Sequence, residues 1–124
     1  MALLKDCVVR WDGSCLAGMR YFARNCNQNA IEPILGICVA SCESSLNPKA
    51  TLFNPPSNST DRGLFQWNSV YHKEISDAQA FDPTEATTLF CATVKAGGLK
   101  STWSASEPCW KIKLPPELIA KYNL

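Results

Sequence analysis

No stretch of this sequence approaches the roughly 18 consecutive apolar residues of a membrane-spanning helix. The first ten residues, MALLKDCVVR, lack the apolar core of a secretory signal. The expectation is therefore that a signal was removed or replaced, or that export follows another route, such as host lysis or packaging in a virion. Charge of either sign is scarce in the balance: 12 Lys and Arg against 11 Asp and Glu leave a formal net charge of +1. Nothing in that balance points to nucleic acid or an anionic membrane as partner. There is one histidine, His72, and no C-x-x-C pair. Cys38 and Cys42 stand a helical turn apart, but structural zinc normally needs about four Cys or His ligands at tight spacing. No metal or other cofactor is implied. Internal repeats and low-complexity tracts are absent as well.

What the sequence does have is cysteine. Seven in 124 residues favour an oxidising destination with disulfides, and the odd count leaves at least one thiol unpaired. The length suits a single domain, residues 1–124, with one modest core.

The periodicity predicts mostly helix. Residues 8–11 read as a short extended piece. Leu16, Met19, Phe22 and Ala23 repeat at helical spacing within Cys15–Asn25. Asn29 and Glu32 form a capping box, with Pro33 in the first turn. Ile34, Leu35, Cys38, Val39 and Cys42 then line one face, and the helix should end near Ser44, because Asn47-Pro48 starts a turn. Residues 47–60, rich in Pro, Asn, Ser and Thr, read as a loop or as loops joining short strands. A short helix is expected within 69–80. Asp82-Pro83-Thr84-Glu85 caps another, whose buried stripe is Ala86, Leu89, Phe90 and Val94 and whose stop is Gly97-Gly98. Pro115-Pro116 opens a last one through Leu118, Ile119 and Tyr122.

The segment from Cys38 to Ser69 organises the rest. Glu43 closes an apolar helix, where the negative end of the helix dipole disfavours its charge. Asp61 follows a polar loop. Two carboxylates in unlike settings are what an enzyme needs to keep one protonated as general acid and the other ionised. Gln66 and Asn68, each with amide donors and an acceptor, suit a ligand rich in hydroxyl and acetamido groups.

The segments Glu43-Ser44-Ser45-Leu46-Asn47-Pro48-Lys49-Ala50, then Ser59-Thr60-Asp61-Arg62-Gly63-Leu64-Phe65-Gln66 and Asn68-Ser69, resemble the active-site region of the lysozyme superfamily. Chicken-type lysozymes share E-S-x-x-N-x-x-A and S-T-D-x-G-[IL]-[LF]-Q-x-N-S at nearly this separation. Phage and bacterial lytic transglycosylases share E-S-x-x-N-P-x-A and G-L-[FM]-Q. Cys91-Ala92, Gly97-Gly98, Trp103-Ser104-Ala105 and Cys109 match the family's later helix, cleft tryptophan and cysteine. The resemblance is strongest over residues 36–69. It implies an α+β, mostly helical lysozyme-like fold with a small β lobe and a cleft between lobes. By analogy it also implies a Cys38–Cys109 disulfide. The chain departs from chicken-type lysozymes in a shorter stretch between Asp61 and Cys91, which leaves Cys91 without its usual partner, and in lacking their strong positive charge.

For function, the resemblance implies a peptidoglycan-cleaving glycosidase or lytic transglycosylase. Lysozyme is itself the type case for chemistry with environment-split carboxylates. Glu43 takes the place of the general acid, with Trp103 or a neighbouring apolar wall raising its pKa. Asp61 is either the ionised partner or a structural loop cap. Gln66, Asn68, Tyr71, Trp103 and Ala105 fall where substrate is bound, although Gln66 also suits backbone support and Tyr71 an ordinary surface or core position. Arg62 and His72 read better as ordinary exposed residues than as polymer contacts. The partners implied are peptidoglycan strands and, for a packaged protein, virion proteins, with an extracellular or virion-associated location. A catalytically silent glycan-binding or structural virion protein is the other class.

Overall fold

A computed structural model describes residues 33–124. The elements expected within 1–32, including the Asn29–Glu32 capping box, lie outside the described residues. The first described element, α1 (Pro33–Ser44), ends where the sequence placed its end. Residues 35–40 are buried without a gap, Ile37 and Ala40 included. The expected single stripe is therefore too narrow, because the helix runs through the core and is covered all round.

The chain leaves α1 through two consecutive non-glycine residues in the left-handed region, Ser45 (φ 53°) and Leu46 (φ 57°). Each costs roughly 1–2 kcal/mol of backbone strain. The complete burial of the Leu46 side chain offsets part of that cost. The Ser44 hydroxyl donates to the Leu64 carbonyl at 2.8 Å and so ties the helix end to a turn 20 residues further along the chain.

Residues 47–60 do contain strands. β1 (Thr51–Asn54), β2 (Ser59–Arg62) and β3 (Trp67–Asn68) form an antiparallel sheet in the order β1-β2-β3, and Pro55–Ser57 make a 3-10 turn between the first two. The register pairs Asp61 with Leu52 on one side and with Asn68 on the other. Directly opposed residues project from the same face, so Asp61 and Asn68 point the same way. Gly63 follows at φ 79°, and a Cβ there would lie 2.0 Å from the Ala80 carbonyl oxygen. Only glycine lets the sheet approach the next helix this closely.

The expected helix within 69–80 forms only at its end, as α2 (Asp77–Phe81). Asn68 is the reason. Its Oδ1 accepts from the backbone N–H of Val70 and of Tyr71, which holds the chain in turns. Ser76 and Gln79 then form a capping box that starts α2 afresh. Asp82 caps α3 (Pro83–Lys95) as expected, accepting from the Glu85 N–H at 2.9 Å. At its far end the N–H groups of Gly97 and Gly98 bond the carbonyls of Val94 and Thr93, a Schellman closure with Gly97 at φ 87°. Short helices α4 (Leu99–Thr102), α5 (Glu107–Lys111) and α6 (Pro116–Lys121) complete the described chain, with a 3-10 turn at Ser104–Ser106.

This α+β architecture buries one aromatic cluster beneath the sheet. The Phe65 and Phe90 rings stack at 4.4 Å, and Trp103 meets Phe90 at 4.9 Å and Trp67 at 5.2 Å. Among the described residues no helix is long and apolar enough to cross a membrane.

One covalent expectation is overturned. Cys109 pairs with Cys42, not with Cys38, across a Cα–Cα distance of 6.0 Å. Cys42 lies on the last turn of α1, which packs against α5, where Cys109 sits. Cys38, one turn earlier, points its sulfur toward the Lys113 carbonyl oxygen at 3.8 Å and stays a buried free thiol. Cys91 is disulfide-bonded even though the stretch from Asp61 to Cys91 is short.

Candidate active site

A cleft of about 680 Å³ separates the sheet from the segment after α4. The sheet side contributes Asn54, Asp61, Gln66 and Asn68, the helical side Thr102, Trp103, Ser104 and Ala105, and Glu43 lies between them. Tyr71 and His72 complete the sheet-side rim. All seven residues singled out from the sequence therefore line one concavity.

Glu43 is half-buried at the end of α1. Burial pushes its carboxyl above the usual range, since removal from water penalises the charged form. A hydrogen bond from the Ser106 hydroxyl to Oε2 pulls the other way, and the charge of Asp61 adds a smaller upward push. The upward direction agrees with the sequence reading, but dehydration leads the causes.

Asp61 is built differently. The Asn68 amide donates to its Oδ1 at 2.9 Å, and the Asn54 amide donates to its Oδ2 at 3.2 Å. Both donors are side chains of neighbouring strands, so the carboxylate is oriented by the sheet. Asn68 spends its second donor on the Ser59 hydroxyl at 3.0 Å and its oxygen on the following turn. It thus couples Asp61 to the rim that carries Tyr71.

Gln66 lines the cleft and also supports the backbone, because its amide donates to the carbonyls of Gly63 at 2.9 Å and Ala50 at 3.3 Å. Tyr71 is 76% exposed. Trp103 forms wall rather than rim: it is 3% exposed, and its indole N–H is already committed to the Phe65 carbonyl at 2.9 Å. Ala105 is exposed beside it.

Arg62 corrects the sequence reading. It is 4% exposed. Its guanidinium bonds the Trp67 carbonyl at 2.9 Å, the Ile75 carbonyl at 3.0 Å and Asp77 at 2.9 Å. It is the strut under the rim and touches no ligand space. His72 lines the cleft, with its ring edge against Trp67 at 5.0 Å. Ser106 was missed altogether. Nothing about a serine three residues after a tryptophan announces a partner in a distant helix.

The family model described as a lysozyme-like domain matches residues 22–105, more than half of the chain. The chain belongs to the lysozyme-like domain family. Over 35 residues it is 57% identical to lysozyme C-3 of Sus scrofa, a match covering 28% of this chain and 24% of that protein. Lysozyme C of Bos taurus is 58% identical over 35 residues, with the same coverage of 28% and 24%. Lysozyme C-2 of Capra hircus is 54% identical over 35 residues, covering 28% of this chain and 27% of that protein. The chain thus spans about a quarter of the length of the curated relatives it matches. Its lysozyme-like fold is that of a glycosidase-type family.

Proposed function

We propose that this protein cleaves peptidoglycan as a muramidase, at the β-1,4 bond between N-acetylmuramic acid and N-acetylglucosamine. One observation carries the reading. Glu43, dehydrated and favouring its proton, shares a single cleft with Asp61, a carboxylate oriented by two amides. Most retaining and inverting glycosidases use this division of labour.

Glu43 gives its proton to the glycosidic oxygen as the C1–O bond breaks, and the N-acetylglucosamine side leaves with a free hydroxyl. Asp61 meets the positive charge that develops at C1, as nucleophile or as electrostatic stabiliser. Water then adds at C1, and its proton returns to Glu43. The amide-rich sheet side, Asn54, Gln66 and Asn68, suits hydroxyl and acetamido groups, and exposed Tyr71 offers a ring face to a sugar. The disulfide supports action outside a reducing cytoplasm, either extracellularly or from a virion.

Mass spectrometry of soluble products from purified peptidoglycan tests the reading, with wild type beside Glu43→Gln and Asp61→Asn. Reducing-end muramic acid, lost in both variants, is the expected result. 1,6-Anhydro ends lost only in Glu43→Gln would make the protein a lytic transglycosylase. No wild-type product on walls that a control lysozyme digests would move the assignment to a glycan-binding or structural protein.

A further inference from the structure

The Ser106 hydroxyl sits between two acceptors. It donates to Oε2 of Glu43, and it lies 3.3 Å from the Trp103 carbonyl oxygen. That carbonyl already receives the Trp110 indole N–H at 3.1 Å. A serine hydroxyl has one hydrogen and two lone pairs. When that hydrogen is donated to Oε2, Oε2 is an acceptor and a proton taken up by Glu43 is left to Oε1. Among the described residues Oε1 receives no hydrogen bond. The contact is also braced covalently: the Cys42–Cys109 disulfide joins the residue before Glu43 to the third residue after Ser106.

We infer that Ser106 is the positioning residue of the general acid: by holding Oε2 it leaves Oε1 to carry the transferable proton toward the glycosidic oxygen. This rests on the glycosidase reading above. A bare carboxyl would distribute its proton over both oxygens and rotate between them. With Ser106 in place, one orientation is prepaid, which is how a positioned acid gains its rate.

The other groups around Glu43 stay constant when Ser106 is changed. Asp61 faces it from β2, and His72 lines the same cleft. Glu107, at the head of α5, is engaged by Lys100 at 3.8 Å and by Lys111 at 4.0 Å.

The test is the pH dependence of kcat and KM on purified peptidoglycan for wild type, Ser106→Ala and Ser106→Thr, with an NMR titration of the Glu43 carboxyl in each. A donated hydrogen bond favours the ionised form, so its removal lets Glu43 hold its proton to higher pH. In Ser106→Ala the alkaline limb and the titration should move up by about one pH unit. Plateau kcat should fall on the order of tenfold while KM holds, and Ser106→Thr should restore both. An active wild type whose Ser106→Ala twin keeps its limb and kcat overturns the assignment alone. So does a loss that leaves the limb unmoved and that threonine does not rescue, since that is a packing role. A wild type that cleaves nothing overturns the glycosidase reading and this inference with it.

Discussion

Arg62→Met should unfold the protein more readily than loss of the carboxylate that Arg62 is paired with. The guanidinium is 4% exposed, and two of its bonds go to the carbonyls of Trp67 and Ile75, both on buried residues. A buried acceptor left without a donor costs about 1–3 kcal/mol. The Ile75 carbonyl is left so, whereas the Trp67 carbonyl keeps the backbone N–H of its ladder partner at position 62, and the loss is about 1–3 kcal/mol. The Asp77 side chain, in contrast, is 81% exposed. Its pair with Arg62 is screened by water and is worth under about 1 kcal/mol. Urea unfolding of Arg62→Met and Asp77→Asn separates the two contributions through their midpoints. The rim should also loosen in Arg62→Met, because residues 67–77 lose their common anchor, so muralytic activity should drop with stability. An Asp77→Asn variant as destabilised as Arg62→Met would refute the reasoning, since the ion pair rather than the carbonyls would then be what holds the rim.

Peptide mapping under non-reducing conditions should recover the Cys42–Cys109 linkage, with Cys38 alkylated only after unfolding. That thiol is buried and its pKa is pushed up to about 11. Replacing Cys42 and Cys109 together by serine opens a linkage of sequence separation 67, and chain-entropy reasoning assigns such a loop about 4 kcal/mol. A loss below about 1 kcal/mol in a thermal melt would show that other constraints already order the unfolded chain. Glu43→Gln should be more stable than wild type at pH 7. The native protein holds the Glu43 proton more tightly than the unfolded chain does, so wild type loses stability as pH rises from the ordinary glutamate value of 4.5 through the raised native one. The two proteins should converge below that window, and a gap that persists in acid would point to packing instead.

Helix ends and caps were legible because they depend on neighbours in sequence. Asp82 capping Glu85, the Gly97-Gly98 stop and the end of α1 at Ser44 all follow from local hydrogen bonding. The cleft was legible only through the resemblance, since no periodicity reports that residues 43, 61 and 103 converge. What escaped the sequence was tertiary. Arg62 is charged and precedes a glycine in a polar segment, so composition reads it as exposed. Its burial depends on carbonyls as distant as that of Ile75. The disulfide was misplaced because analogy fixed on Cys38, whereas the choice between Cys38 and Cys42 rests on which turn of α1 meets α5. One helical turn, about 5.4 Å along the axis, decides it.

That one turn has a consequence for the site. A bridge at Cys38 would anchor the helix a turn and a half before Glu43, but at Cys42 it ends on the adjacent residue. Glu43 is then fixed from four directions: the disulfide before it, the Ser44 hydroxyl on the Leu64 carbonyl after it, the buried Leu46 side chain beyond that, and Ser106 on the carboxyl itself. The strained turn at Ser45 and Leu46 is tolerated because these ties over-determine it. Asp61 has no comparable covalent anchor. It is held by two side-chain amides on short strands, one of which, β1, is exposed along most of its length. The proposed general acid therefore sits on the more tightly tied side of the cleft and its proposed partner on the side with fewer ties. In the proposed reaction, a sugar ring entering between them meets a proton donor tied to the helix and a carboxylate held only by hydrogen bonds from the sheet.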